Sequence, residues 1–154
     1  MGSIDLERLK KEYRVLQEKG VQFKFFDLDT DHPYVLMAAI TNKRRMLREP
    51  PYTLRMDLEG FPFVAPDVCT TRMLYTKSGK PLDNPQHGMH CLGSKHGGTQ
   101  ICHFGSSWHP MISLYKVFIK CRIWLEAYEL HLDTGMKLDY YLKIDQGQEF
   151  INYD

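Results

Sequence analysis

The sequence predicts an α+β domain: a first helix, a four-stranded antiparallel meander, an irregular loop carrying a cysteine, one long central helix and a shortened C-terminal region. Three observations carry this. An amphipathic stripe opens the chain. Four apolar or alternating runs follow at hairpin spacing. The strongest helical stripe comes only after residue 113. Connections between the four runs are too short for parallel crossovers, so the strands pair antiparallel.

Each element has a local signal. Ser3 or Asp5 caps a helix whose stripe is Leu6, Leu9, Tyr13 and Leu16, with Glu7, Arg8, Lys10, Lys11, Arg14 and Glu18 outside it. Gly20 stops it. Val21–Phe25 alternates and reads as the first strand, and Tyr34–Ile40 as a second, almost wholly apolar one. After Pro50-Pro51, Tyr52, Leu54, Met56 and Leu58 alternate with polar residues in a third. Val68–Tyr75 is the fourth, beyond the proline-rich and aromatic turn from Gly60 to Pro66. Thr76–Gly98 has little periodicity and reads as a long loop, of the kind that carries function or moves. Ser113 then caps a helix with Leu114, Val117, Phe118, Cys121, Trp124, Leu125 and Tyr128 on one face. Met136–Leu142 fits helix or strand.

Composition removes several function classes. A chain of 154 residues, 43% apolar and 25% charged, reads as one globular domain over residues 1–154. A net charge of +1 gives no electrostatic footprint for nucleic acid. The short basic run Lys43-Arg44-Arg45 with Arg48 is a solvated loop or a docking patch for an acidic partner. No apolar run is long enough to span a membrane, and no leader pattern opens the chain. These readings place the chain in the cytoplasm, with Cys69, Cys91, Cys102 and Cys121 as free thiols. No phosphate-cradling glycine motif follows a strand.

Cys102 stands out among the thiols. It follows Gly97-Gly98-Thr99-Gln100-Ile101, precedes His103, and lies just before Trp108-His109-Pro110 and the best helix. Thiolate character rises beside a cation or a helix N-terminus, and His96, His103 and His109 are near in sequence. Cys121 lies within an apolar stripe and reads as core. Five of the seven histidines, His87, His90, His96, His103 and His109, fall within 23 residues, together with Cys91 and Cys102. A zinc site from His87 or His90, Cys91, His96 and one further ligand would staple the long loop. Against it, no Cys-x-x-Cys pair is present, so the preferred reading takes no metal.

The order helix, meander, proline-rich turn, irregular loop, cysteine, Trp-x-Pro and helix resembles the ubiquitin-conjugating enzyme (UBC-like) family between residues 5 and 130. Four pieces carry the resemblance: the helix Leu6–Leu16; Tyr52–Met56 running into Phe61-Pro62-Phe63 and Pro66; Thr70–Tyr75; and Gln100-Ile101-Cys102 with Trp108-x-Pro110. The family's His-Pro-Asn motif is absent after Tyr75, and 26 residues separate Tyr75 from Cys102. Trp108-His109-Pro110 stands for the usual Trp-Ser-Pro, and the C-terminal region is short. These departures are similar to the divergent stand-alone bacterial members found beside a cGAS-like synthase in anti-phage (CBASS) operons.

The resemblance implies a thioester carrier active in antiviral defence. Cys102 would accept the C-terminal glycine of a ubiquitin-like protein, or of a cGAS-like nucleotidyltransferase, from an adenylating activating enzyme, and pass it to an amine. No cofactor is implied. An oxyanion donor would have to replace the missing asparagine, and Asn84, His90 and His103 are the candidates. His103 contributes only if the chain turns there, because consecutive residues of an extended segment point to opposite faces. Lys10 and Arg14 of the first helix, with Phe61 and Phe63 of the turn, are the expected partner contacts; core packing is the other reading of the two phenylalanines. Two other function classes compete: a non-catalytic binding module of the same fold, and a zinc-stapled interaction domain.

Overall fold

A computed structural model describes residues 5–147. The first helix, α1 (Leu6–Glu18), begins at Asp5, whose carboxylate accepts the Glu7 N–H at 3.0 Å. Strands β1 (Phe23–Phe26), β2 (Tyr34–Ala39), β3 (Tyr52–Asp57) and β4 (Asp67–Thr70) form the expected antiparallel meander. Alternation along β2 buries Val35, Met37 and Ala39 on one face, the period of two that a half-buried strand requires.

The sheet does not stop at four strands. The stretch Thr76–Gly98, read as a loop, contributes β5 (Pro85–Gln86) and β6 (Cys91–Lys95), and β7 (Gly98–Ile101) completes a seven-stranded sheet in the order β1-β2-β3-β4-β7-β6-β5. The physical reason lies in the residues. β5 is two residues long, and β6 and β7 carry glycine where an alternating strand would show an apolar side chain. A bulge between Cys91 and Gly93 shifts the register as well, so no period of two survives in the sequence. The β6–β7 turn is His96-Gly97, with φ of 53° and 80°. Positive φ at both central positions suits the twist of a two-residue hairpin.

Strand β4 is shorter than Val68–Tyr75. The Thr70 hydroxyl donates to the Arg72 carbonyl at 2.6 Å and accepts the Thr99 N–H at 3.0 Å, turning the chain off the sheet edge. The basic run forms a six-residue helix, α2 (Asn42–Leu47), capped by Thr41 and closed by Arg48 at φ 57°. A helix this short, with no buried residue, leaves no apolar stripe to read.

Ser113 caps α3 (Leu114–Thr134) through the Lys116 N–H, and Gly135 ends it at φ 80°. The seven expected apolar residues of α3 are all buried. Met136–Leu142 resolves as the start of α4 (Leu138–Gly147), with Leu138 fully buried. Helix α3 packs on α1, on α4 and on β2. The core joins Leu16, the inner faces of β2 and β3, Val68, Ile101 and the α3 stripe.

Arg8 does not face solvent as the helical stripe suggests. Its guanidinium pairs with Glu12 at 2.7 Å and donates to the carbonyls of Pro110 and Ile112. Glu12 is itself buried, and its other oxygen accepts the Leu114 N–H at 2.8 Å. One carboxylate thereby satisfies an orphan donor at the start of α3 and fixes α1 against the segment that follows Cys102. Among the described residues no helix is long and apolar enough to cross a membrane.

Candidate active site

Cys102 is the first residue after β7 and the only one of the four cysteines that is not buried. Its N–H donates to the His90 carbonyl at 3.1 Å, extending the β6–β7 ladder by one bond past the pair Cys91–Ile101. That carbonyl also accepts the indole N–H of Trp124 from α3 at 2.9 Å. Trp124 is 1% exposed, so its indole is a fixed post. Two donors on one oxygen lock His90 opposite Cys102, with His90 at φ 50°. A non-glycine residue in the left-handed region is strained and persists only where its surroundings hold it.

The His90 ring continues outward. Its Nε2 lies 2.8 Å from Asp139 Oδ1 in the first turn of α4, and the Asp139 N–H donates to the Gly88 carbonyl at 2.8 Å. A carboxylate accepts, so Nε2 carries the hydrogen and Nδ1 is left as the acceptor in the neutral ring. The His90 bond holds the Asp139 carboxyl below its ordinary value, with Lys143 adding to this. Neither side chain is closed off, at 21% exposure for His90 and 27% for Asp139.

The other thiols are ruled out as nucleophiles by their settings. Burial pushes Cys69 up to about 11 and raises Cys91 and Cys121 as well.

The remaining expected site residues separate into three groups. His103 does turn inward, but both ring nitrogens serve backbone groups: Nε2 donates to the Pro66 carbonyl at 2.7 Å and Nδ1 accepts the Phe104 N–H at 2.8 Å. Burial holds its imidazole below the ordinary value. His103 is therefore a neutral brace between the Cys102 segment and the turn before β4. The Asn84 side chain is exposed and donates to its neighbour Asp83 at 3.1 Å, while its carbonyl accepts the Cys91 thiol at 3.5 Å. His90 alone of the three oxyanion candidates is joined to Cys102 by a hydrogen bond.

The Phe61 to Phe63 turn divides between its two readings. Phe61 is 4% exposed and packs on Trp108 with the Arg8 guanidinium over its ring, whereas Phe63 is 77% exposed beside exposed Val64. The peptide between Phe61 and Pro62 is cis. Trp108 anchors the same turn by donating to the Pro62 carbonyl at 3.0 Å. Lys10 and Arg14 are exposed on α1, Lys10 lying 3.9 Å from Glu7.

The histidine cluster of the sequence is scattered by the fold. His87 stacks on His90, His96 reaches Asp57 at 3.0 Å, and the His109 ring accepts the Met111 N–H at 3.3 Å. Among the described residues no group of three or more His, Cys, Asp or Glu side chains comes together to hold a metal ion. The zinc-stapled reading therefore has no ligand set among them. His131, in the last turn of α3, is buried and accepts the Lys77 N–H at 3.0 Å.

Asp139 is the residue that sequence reasoning missed. It lies 49 positions from His90, in a stretch whose secondary structure the pattern left open, and no local motif links the two. A cavity of about 430 Å³, lined by Arg44, Tyr52, Thr70 and Arg72, opens at the opposite end of β4 from Cys102. Compared with protein-family models, curated proteins and solved structures, the chain matches none.

Proposed function

We propose that this chain is a thioester carrier of ubiquitin-conjugating type, with Cys102 as its nucleophile. The observation that carries the reading is the setting of Cys102: the one unburied thiol of the four, at a strand end, held by a fixed carbonyl and braced on its far side by His103. A carrier needs a thiol open to a large acyl donor on one side and shielded on the other, because water competes for the thioester. Cys102 itself is half-buried at the end of β7, and Phe104 and Trp108, a few residues on, pack against the core.

The expected substrate is a protein tail ending in glycine, either of a ubiquitin-like protein or of a cGAS-like nucleotidyltransferase in an antiviral operon. An adenylating activating enzyme would deliver it. Transfer forms a C–N bond to an acceptor amine and breaks the C–S bond, releasing the Cys102 thiolate. Of the expected contacts for delivery or acceptance, exposed Phe63, Lys10 and Arg14 remain, and buried Phe61 does not. The lysine or other amine that receives the tail lies on a partner.

The test is the mass of Cys102→Ser purified from its native host. Serine holds a captured tail as a slowly hydrolysed oxyester. The proposal expects one discrete adduct, absent in Cys102→Ala, whose mass identifies the donor. No adduct with the surrounding genes intact overturns it and favours the binding-module reading, for which exposed Phe63 would be the docking residue.

A further inference from the structure

The geometry points to His90 as the group that takes the proton from Cys102 and from the attacking amine, with Asp139 as its positioning residue. This rests on the carrier reading and deepens it.

Three features bring the groups together. The main-chain bond from the Cys102 N–H to the His90 carbonyl, at 3.1 Å, sets the two residues side by side just beyond the last registered pair of β6 and β7. The Asp139 carboxylate at 2.8 Å fixes the hydrogen on Nε2, so the lone pair on Nδ1 is available to a donor. Trp124 prevents the His90 backbone from drifting, as its indole donates to the carbonyls of both Met89 and His90, at 3.1 Å and 2.9 Å. A nucleophile, a base and a third group that orients the base is the arrangement by which a weak nucleophile is activated. Here the base precedes the nucleophile by twelve positions and the orienting carboxylate follows 37 positions after it. The arrangement exists only because β6 and β7 pair and the first turn of α4 meets Gly88 and His90 just before β6.

The steps balance as acid–base chemistry around one acyl transfer. In loading, the Cys102 proton passes to His90 Nδ1, sulfur attacks the carbonyl carbon of an incoming thioester, and the donor's thiolate leaves. The imidazolium returns its proton to that thiolate. In discharge, a primary amine attacks the Cys102 thioester, the C–N bond forms, and the C–S bond breaks. His90 takes the proton the amine loses and hands it to the departing Cys102 sulfur. Asp139 stays ionised and stabilises the imidazolium in both steps. His103 has no lone pair left for either task, since Phe104 occupies it.

Several charges face this pair and set the pH at which it works. His87 stacks on the His90 ring with centroids 5.7 Å apart. From α4 come Asp139 and Lys143, the latter 3.4 Å from Asp139. From α3 comes Lys120, whose ammonium lies over the Phe104 ring. His103 is the chain neighbour, held neutral by burial. Asp139 is the carboxylate in contact with the His90 ring, at 2.8 Å.

The experiment uses the full chain and iodoacetamide, so it requires no protein substrate. Alkylation of Cys102 is followed by intact mass from pH 5 to pH 10, with buried Cys69, Cys91 and Cys121 as internal controls. His90→Gln is expected to slow the reaction at pH 7 by about tenfold and to move the rising limb toward an unassisted thiol, about pH 8.5. Asp139→Asn is expected to move the same limb in the same direction by a smaller amount, because the imidazolium loses its carboxylate. Wild-type rates and an unmoved limb in both variants, each folded by circular dichroism, overturn the proposal. Should either variant fail to fold, the His90 imidazole is titrated by NMR in wild type and in Cys102→Ala. A His90 titration that ignores the loss of Cys102 overturns it equally. Failure of the carrier reading would leave this limb in place and remove only the host adduct. Failure of the His90 assignment would do the reverse.

Discussion

At Gly98 the strand backbones approach so closely that a Cβ would sit 1.6 Å from the Thr70 carbonyl oxygen. Backbone cannot swing aside as a flexible side chain can. Gly98→Ala is therefore expected to cost about 3 kcal/mol, read as a lowered denaturant midpoint, and to loosen the strand that delivers Cys102. His103 makes a prediction of opposite character. Its folded value lies below the ordinary 6.5, so the unfolded chain takes the proton first. Its contribution to stability is full above pH 6.5 and is lost as pH falls from there toward the folded value. Thermal melts at pH 7.5 and pH 5.5 should show a smaller acid loss in His103→Gln than in wild type. The comparison with the variant isolates His103 from exposed His32, which its Glu59 partner moves upward. Cys102 stands out in the sequence because glycines, a histidine and a Trp-x-Pro turn surround it locally, and the structure leaves it the one unburied thiol. The His90–Asp139 pair has no such local signal, because its members are 49 residues apart and only the closed fold brings them together.

Elements with a sustained period were legible, and elements without one were not. The α3 stripe spans 21 residues and predicts its own cap, stop and buried face. The β5–β6–β7 extension has two, five and four residues, two interior or terminal glycines and a bulge, so its strands are fixed by pairing and not by pattern. Arg8 and Glu12 show the same limit on a helix. The stripe on α1 counts apolar positions, whereas the contact that docks α1 to α3 is a buried ion pair bonded to three backbone groups. Removing one member of such a pair leaves the other without its countercharge. Glu12→Ala is expected to cost about 3 kcal/mol and to free the start of α3, checked by urea unfolding. Hydrogen exchange should then rise first at Leu114 and Val117, the opening turn of that helix.

Across the described residues, one seven-stranded sheet carries both the core face and the segment that ends in Cys102. The early meander β1–β4 supplies a core face for α3, and β7 inserts beside β4 so that its end presents Cys102 next to that core. The second run of strands enters at the far edge with β5 and steps inward through β6 to β7, which sets the His90 carbonyl on the Cys102 N–H. Helix α4 then closes over the edge with Asp139. The residues between Tyr75 and Cys102 supply the strands beyond the expected four, and the main-chain carbonyl that the Cys102 N–H meets.

The central claim is that Cys102 carries an acyl group as a thioester, and its linkage chemistry is the most direct test. Wild-type protein is isolated from its native host under acid, which preserves thioesters, and is then divided and treated with buffer or neutral hydroxylamine. The account predicts a covalent complex that hydroxylamine dissolves, with the modified peptide spanning Cys102 and the released tail ending in glycine hydroxamate. An adduct that resists hydroxylamine, one that persists in Cys102→Ala, or no adduct at all would contradict it.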